Sequence, residues 1–313
     1  MTQFQSRILH GFRGRIDSHG GFRAAVRAIG LLDLLDAGLR VVWYRLGSLF
    51  WRLLPAHRSG DYGLVEAMCV PAYDHWLRYQ IVIEAISALQ LQSPLQVLEV
   101  GSGVAGISMF LKPGSAQVCL TDMTEANVIP RYCANTRYVR SDACCLPFAD
   151  DSFPVVISVD TLEHIARPAR TAFLSELKRV AKEAVILTCP LDSQDGQFQA
   201  EKCDSHLQKS LGSQKKRIPG WLDEHLQQGH PILEEVSHEF EGARIDGYQN
   251  CAHWMRMLPL LGRRFLWIFS GFFYVLAMKK TDRLPPFYRG LIVWQKNSAL
   301  KTTSETSGKS NGQ

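Results

Sequence analysis

The sequence predicts an α/β fold, a doubly wound sheet of seven strands with helices on both faces. Three observations carry that expectation. Short apolar runs alternate with segments of helical period between residues 95 and 190. The first run ends in a glycine-rich turn, residues 97–106 reading Val-Leu-Glu-Val-Gly-Ser-Gly-Val-Ala-Gly. The second closes on a carboxylate, Asp122, about 20 residues further on.

Taken in order, residues 1–21 are polar and carry arginine and glycine, which suggests a loose start. Residues 22–54 are strongly apolar with helical tendency. On a helical wheel Arg45, Ser48 and Arg52 make a narrow stripe opposite Trp43, Leu46, Phe50 and Leu53. Pro55 ends that segment. Residues 57–73 read as a connection and 75–91 as a helix leading into the first strand. Strands are expected near 96–100, 117–122, 136–140, 155–159 and 184–189. Gly101, Gly103 and Gly106 let the backbone turn sharply and leave bare amides for a ligand, with a helix starting over 104–111. Pro168 suits the first turn of a helix whose apolar positions are Phe173, Leu174, Leu177 and Val180. Residues 194–219 are polar and read as a lid or loop. Residues 244–249 and 288–296 read as the sixth and seventh strands. Beyond about residue 298 the Ser/Thr/Gly/Lys-rich sequence predicts disorder. The expected organisation is a basic, apolar helical extension (1–60), a domain over 61–297 with a hydrophobic insertion at 251–284, and a tail (298–313).

Charge is unevenly shared. The net charge of +5 over 313 residues hides a −9 balance in residues 61–255, between two segments of +6, residues 1–60 and 256–289. Both basic segments are also rich in apolar and aromatic residues. In the second, Phe265-Leu-Trp-Ile-Phe-Ser-Gly-Phe-Phe-Tyr-Val-Leu-Ala-Met278 lies between Arg263-Arg264 and Lys279-Lys280. As one helix it would span about 21 Å, short of a ~30 Å hydrocarbon core. Lying in a membrane surface suits it better than crossing; the alternative is a cap over the pocket of a soluble enzyme. The eight cysteines contain no Cys-x-x-Cys pair, and the first twenty residues lack the apolar core of a signal peptide. A cytoplasmic protein, peripheral on the membrane face, is expected.

The pattern Gly-x-Gly-x-x-Gly is by itself a weak signal. Glu99 sharpens it, since a pyrophosphate-binding loop would avoid a negative charge two residues before the first glycine. Asp122 stands where a carboxylate grips ribose hydroxyls. Further on come Tyr138-Val-Arg-Ser-Asp142-Ala143 and the run Leu146-Pro-Phe-Ala-Asp-Asp-Ser-Phe-Pro-Val-Val-Ile-Ser-Val-Asp160. Together these resemble the class I S-adenosylmethionine-dependent methyltransferases, in their small-molecule, lipid- or polysaccharide-pathway branch.

The resemblance implies a Rossmann-like domain with an antiparallel last strand, and S-adenosylmethionine as cofactor. It implies that Glu99 and the turn Gly101, Ser102, Gly103 hold the methionine part and Asp122 the ribose. Met123 would pack on the adenine, Asp142 with Ala143 would meet its edge, and Asp160 would complete the site. Pro154 departs from the family, which has an acidic residue opening the fourth strand; a local change in that strand is expected. A nicotinamide-dependent oxidoreductase would also use the glycines and Asp122, but leaves Glu99 and the 146–160 run unexplained.

In-line methyl transfer needs alignment and exclusion of water, and an oxygen acceptor benefits from a base. His164, with Asp160, is the candidate catalytic pair beyond the fourth strand; His206, His225, His230 and His253 are alternatives. Asp160, Glu163 and His164 offer metal ligands, but no fourth is evident and no metal is expected. The Asn/Asp-Pro-Pro-aromatic turn of nucleic-acid amino-methylating relatives is absent after the fourth strand, so nucleic acid is not the expected partner. The expected reaction is methyl transfer to a hydroxyl of a lipid or lipid-linked acceptor, a glycan or a quinone precursor. A soluble small-molecule methyltransferase and a non-catalytic membrane-bound scaffold are the other readings.

Overall fold

The computed structural model describes residues 73–91, 94–103, 106–111, 116–123, 136–213, 218–262 and 269–296, with positions 35 and 39. The expectations for residues 1–60 and 298–313 fall outside the described residues, those two positions apart.

Helix α1 (Tyr73–Ala88) leads into strand β1 (Leu95–Val100), followed by β2 (Ala116–Asp122), β3 (Thr136–Arg140) and β4 (Phe153–Val159). A 3-10 turn (Leu162–His164) and helix α2 (Arg170–Val180) precede β5 (Ala181–Pro190). Helices α3 (Ala200–Ser213), α4 (Gly220–Gln228) and α5 (Leu233–Glu239) come before β6 (Arg244–Asn250). Helices α6 (Cys251–Gly262) and α7 (Ser270–Ala277) then separate β6 from β7 (Phe287–Gln295).

The seven strands form one sheet in the order β3-β2-β1-β4-β5-β7-β6. Strands β1 to β5 pair in parallel, while β7 runs antiparallel between β5 and β6. The expected fold class is observed, including the reversed last strand.

Alternation along the strands builds two cores. Val97 of β1 and Val155 and Ile157 of β4 pack on one face with Trp76, Ile81 and Val82 of α1. Leu98 and Val156 point to the other face, against Phe173, Leu174, Leu177 and Val180 of α2. A strand buried on both faces needs apolar residues at every position, which is why β4 reads as the continuous run Val-Val-Ile.

Three local expectations are corrected or refined. Residues 194–219 are not an irregular lid: they contain the fourteen-residue helix α3. The stretch at 104–111 carries a single 3-10 turn, Gly106–Met109, within its described part. Within the described part of the 265–278 segment lies the eight-residue helix α7; residues 265–268 fall outside the described residues. Pro154 does bring a local change, because the β4–β5 register shifts between Phe153 and Val155. A proline cannot donate to the ladder, and the bulge absorbs the missing bond.

Candidate active site

The turn after β1 is built around two glycines in the left-handed region, Gly101 with φ 75° and Gly103 with φ 58°. A Cβ on Gly101 would lie 2.2 Å from Thr161 Oγ1, so this turn fits against the end of β4 only with glycine there. The Gly101 and Ser102 amides both donate to the Thr121 carbonyl, at 2.9 and 3.1 Å, and the Gly103 amide donates to Asp122 Oδ2 at 2.8 Å. The ends of β1 and β2 are thereby joined.

Glu99 is fully buried beneath the turn, with Oε1 accepting from Tyr79 Oη at 2.7 Å and Oε2 from the Ile107 amide at 2.6 Å. Burial raises its pKa to about 7 despite these bonds. Both carboxylate oxygens are engaged within the protein, so Glu99 braces the glycine turn from below.

At the neighbouring strand ends, Asp122 closes β2 and Met123 beside it is 67% exposed. An apolar side chain that open to solvent at a strand's carboxyl end is free to cover a flat ligand. Beyond β3, Asp142 Oδ1 accepts from the Cys144 amide at 2.8 Å and its carbonyl from the Cys145 amide at 3.2 Å. That small turn fixes Asp142 and the half-buried Ala143.

Asp160 follows β4 in the left-handed region, φ 48°, and is buried. An aspartate tolerates this backbone better than most residues, though at a cost. Its Oδ2 accepts from Arg78 Nη1 at 2.8 Å and from Arg289 Nε and lies 2.7 Å from Arg289 Nη2. Asp74 completes a four-charge cluster, with Arg78 Nη2 at 2.8 Å and Arg289 Nη1 at 3.1 Å. Gln249 bridges Asp74 and Arg289. Burial alone would push the Asp74 carboxyl up; Arg289 and Arg78 outweigh it and hold the carboxyl below its ordinary value. Asp160 Oδ1, by contrast, is buried with no hydrogen-bond partner. The oxygen of Asp160 that has partners is committed to two guanidinium groups.

Two residues beyond Leu162, His164 is partly exposed, with Nδ1 3.2 Å from Glu224 Oε2 of α4 and its ring 4.9 Å from that of His225. Burial and the neighbouring His225 lower its pKa, against the opposing pull of Glu224. The imidazole is therefore neutral near pH 7 and able to accept a proton. Among the alternatives, His206 is exposed on α3. His253 is held through both ring nitrogens, by Asp282 and Thr281, and reads as structural. His225 and His230 do reach the site, converging on Asp204 of α3. Asp204, Arg78, Asp74, Gln249 and Arg289 are site residues that the sequence reading did not name. Only the arginines carried any signal, as charges within otherwise apolar stretches.

The site thus lies along the carboxyl ends of the parallel strands, where open α/β sheets receive ligands. Residues 98–189 match the family described as a methyltransferase domain. No curated protein matches the sequence. Magnesium protoporphyrin IX methyltransferase from Synechocystis PCC 6803 is similar in fold, at 16% identity over 82% of this chain and 98% of that one, TM-score 0.44. So is phosphoethanolamine N-methyltransferase 2 from Haemonchus contortus, at 15% identity over 68% and 52%, TM-score 0.42. The YcgJ protein from Bacillus subtilis aligns at 16% identity over 70% and 97%, TM-score 0.43. Likenesses this distant carry nothing about the acceptor.

Proposed function

We propose that this chain, which carries a class I S-adenosylmethionine-dependent methyltransferase domain, methylates a hydroxyl of a lipid or lipid-linked acceptor at a membrane surface. When bound, the sulfonium cofactor supplies an already electrophilic methyl group. The glycine turn at Gly101, Ser102 and Gly103, kept in shape by Glu99, would hold the methionine part. Asp122 takes the ribose hydroxyls, Met123 covers the adenine, and Asp142 with Ala143 meets its edge. Asp160 Oδ1 is a buried acceptor without a partner; a hydrogen-bond donor of the cofactor would satisfy it, and this is the feature by which the residues present fit the cofactor. We assign Asp160 to that binding role.

The observation that carries the acceptor reading is His164. Burial and the neighbouring His225 keep it neutral against the pull of Glu224, and it would take the proton of an acceptor hydroxyl held beside it. The surface of α7 supports the membrane reading. Phe269, Phe273 and Leu276 fall at i, i+4 and i+7 and are all exposed, with Leu284 exposed beyond them and Lys279, Lys280 and Arg283 alongside. Among the described residues no helix is long and apolar enough to cross a membrane.

The test is transfer of radiolabelled methyl from S-adenosylmethionine by the full chain to an extract of its host's cells, partitioned between organic and aqueous phases. Label in the organic phase is the expected result. Label confined to water overturns the lipid acceptor, and no label overturns the reaction.

A further inference from the structure

We propose that Asp204, His225 and His230 form a site for one divalent metal ion of the zinc type. Their ligand atoms all lie within 4.8 Å of one another and all three residues are buried. His225 Nδ1 is 3.0 Å from Asp204 Oδ2, and His230 Nε2 is 3.2 Å from the same oxygen. A tetrahedral ion with bonds of about 2.0–2.1 Å keeps neighbouring ligand atoms about 3.3 Å apart, so both measured edges are close to that value. Two imidazoles and a carboxylate are borderline donors suited to zinc and its neighbours.

A hydrogen-bond network alone accounts for only part of this arrangement. His225 Nδ1 bonds to Asp204 Oδ2 in good geometry. His230 does not: its side chain is fully buried, yet neither ring nitrogen has a hydrogen-bond partner. A buried polar group left unpaired costs roughly 1–3 kcal/mol, and an ion shared with Asp204 and His225 would satisfy Nε2. The carboxylate is also oriented as a ligand's should be. Tyr288 Oη donates to Asp204 Oδ1 at 2.9 Å, leaving Oδ2 as the converging oxygen.

The three residues come from separate elements: Asp204 from α3, His225 from α4, and His230 from the turn that follows. The ion would therefore pin α3 and α4 beside the turn that carries His164. Three protein ligands leave the fourth tetrahedral position to water. This inference does not depend on the methyl acceptor.

The test uses the full chain, stripped with chelator, titrated with Zn²⁺ and with Co²⁺. One equivalent of each should bind, Zn²⁺ should raise the melting temperature, and bound Co²⁺ should show a tetrahedral visible spectrum without a thiolate charge-transfer band. His230→Ala should weaken binding more than about tenfold, the loss expected even for an outer partner. No saturable binding, binding unchanged in His230→Ala, or a thiolate band from the cysteines would each overturn the proposal. X-ray absorption on the zinc-loaded wild type guards against a variant that fails to fold: two imidazoles in the shell support the site, and sulfur overturns it.

Discussion

Glu99 shows how one side chain can link loop geometry to pH. Its carboxyl binds a proton more tightly in the folded chain, near 7, than its ordinary value of 4.5 would give. The stabilising effect of that proton is complete below the ordinary value and is lost as pH rises through about 7, up to about 3 kcal/mol as an upper bound. Between about pH 5 and pH 8 the wild type should lose more stability than Glu99→Gln, followed by urea unfolding at each pH; parallel slopes would refute the assignment. For His164 the sign is opposite, because burial favours the neutral ring. The methylation rate should already be on its plateau near pH 7, with an acid limb below the usual imidazole range. His164→Ala should lower kcat about 10²–10⁴-fold, while cofactor Kd measured calorimetrically stays unchanged. Glu99, Asp122 and Asp160 were legible in the sequence because each sits at a predictable strand end. Arg78, Arg289 and Asp204 were not, since their partners stand 82, 129 and 84 positions away. Periodicity carries no information about which distant charges will share a cavity.

At the scale of elements, the legible parts are those whose apolar spacing was strong. Four of the five parallel strands and α2 appear where Val/Ile/Leu-rich runs and the Phe173–Leu177 spacing place them, while β3, Thr-Arg-Tyr-Val-Arg, alternates instead. Helix α3 escaped because it has almost no apolar stripe: its buried positions are Ala200, Cys203 and Asp204. It is tied down instead by a buried carboxylate, through His225 and Tyr288, a kind of anchoring that hydrophobic pattern cannot reveal. Helix α7 poses the converse case, apolar residues turned outward. If that stripe meets lipid, the double variant Phe273→Asp, Leu276→Asp should lose at least tenfold in binding to anionic vesicles by co-sedimentation, each buried side chain being worth about 1.5–3 kcal/mol. Its melting temperature should hold, because both side chains are exposed. Undiminished vesicle binding would assign the stripe to another partner.

For the molecule as a whole, Arg289 ties the structure together. It connects α1 through Asp74, the end of β4 through Asp160, and β6 through Gln249, and its guanidinium lies 5.1 Å from the Trp254 ring and 4.8 Å from that of Tyr288. Arg289→Met keeps the volume but leaves two buried carboxylates with Arg78 alone, at a cost of about 3–5 kcal/mol by urea denaturation. Arg289→Lys should rescue little, since a single ammonium cannot reproduce the fork; full rescue by Lys would show that charge alone matters. The position of β7 has a further meaning in time. Strand β7 fills the gap between β5 and β6, yet it is made after both. On the ribosome, β5 and β6 cannot be joined, and Asp74 and Asp160 must wait for their second guanidinium, until residues 287–295 emerge. A nascent chain halted before that point carries an open sheet edge and surplus buried negative charge. Such an edge stays open to pairing with other chains until β7 closes it.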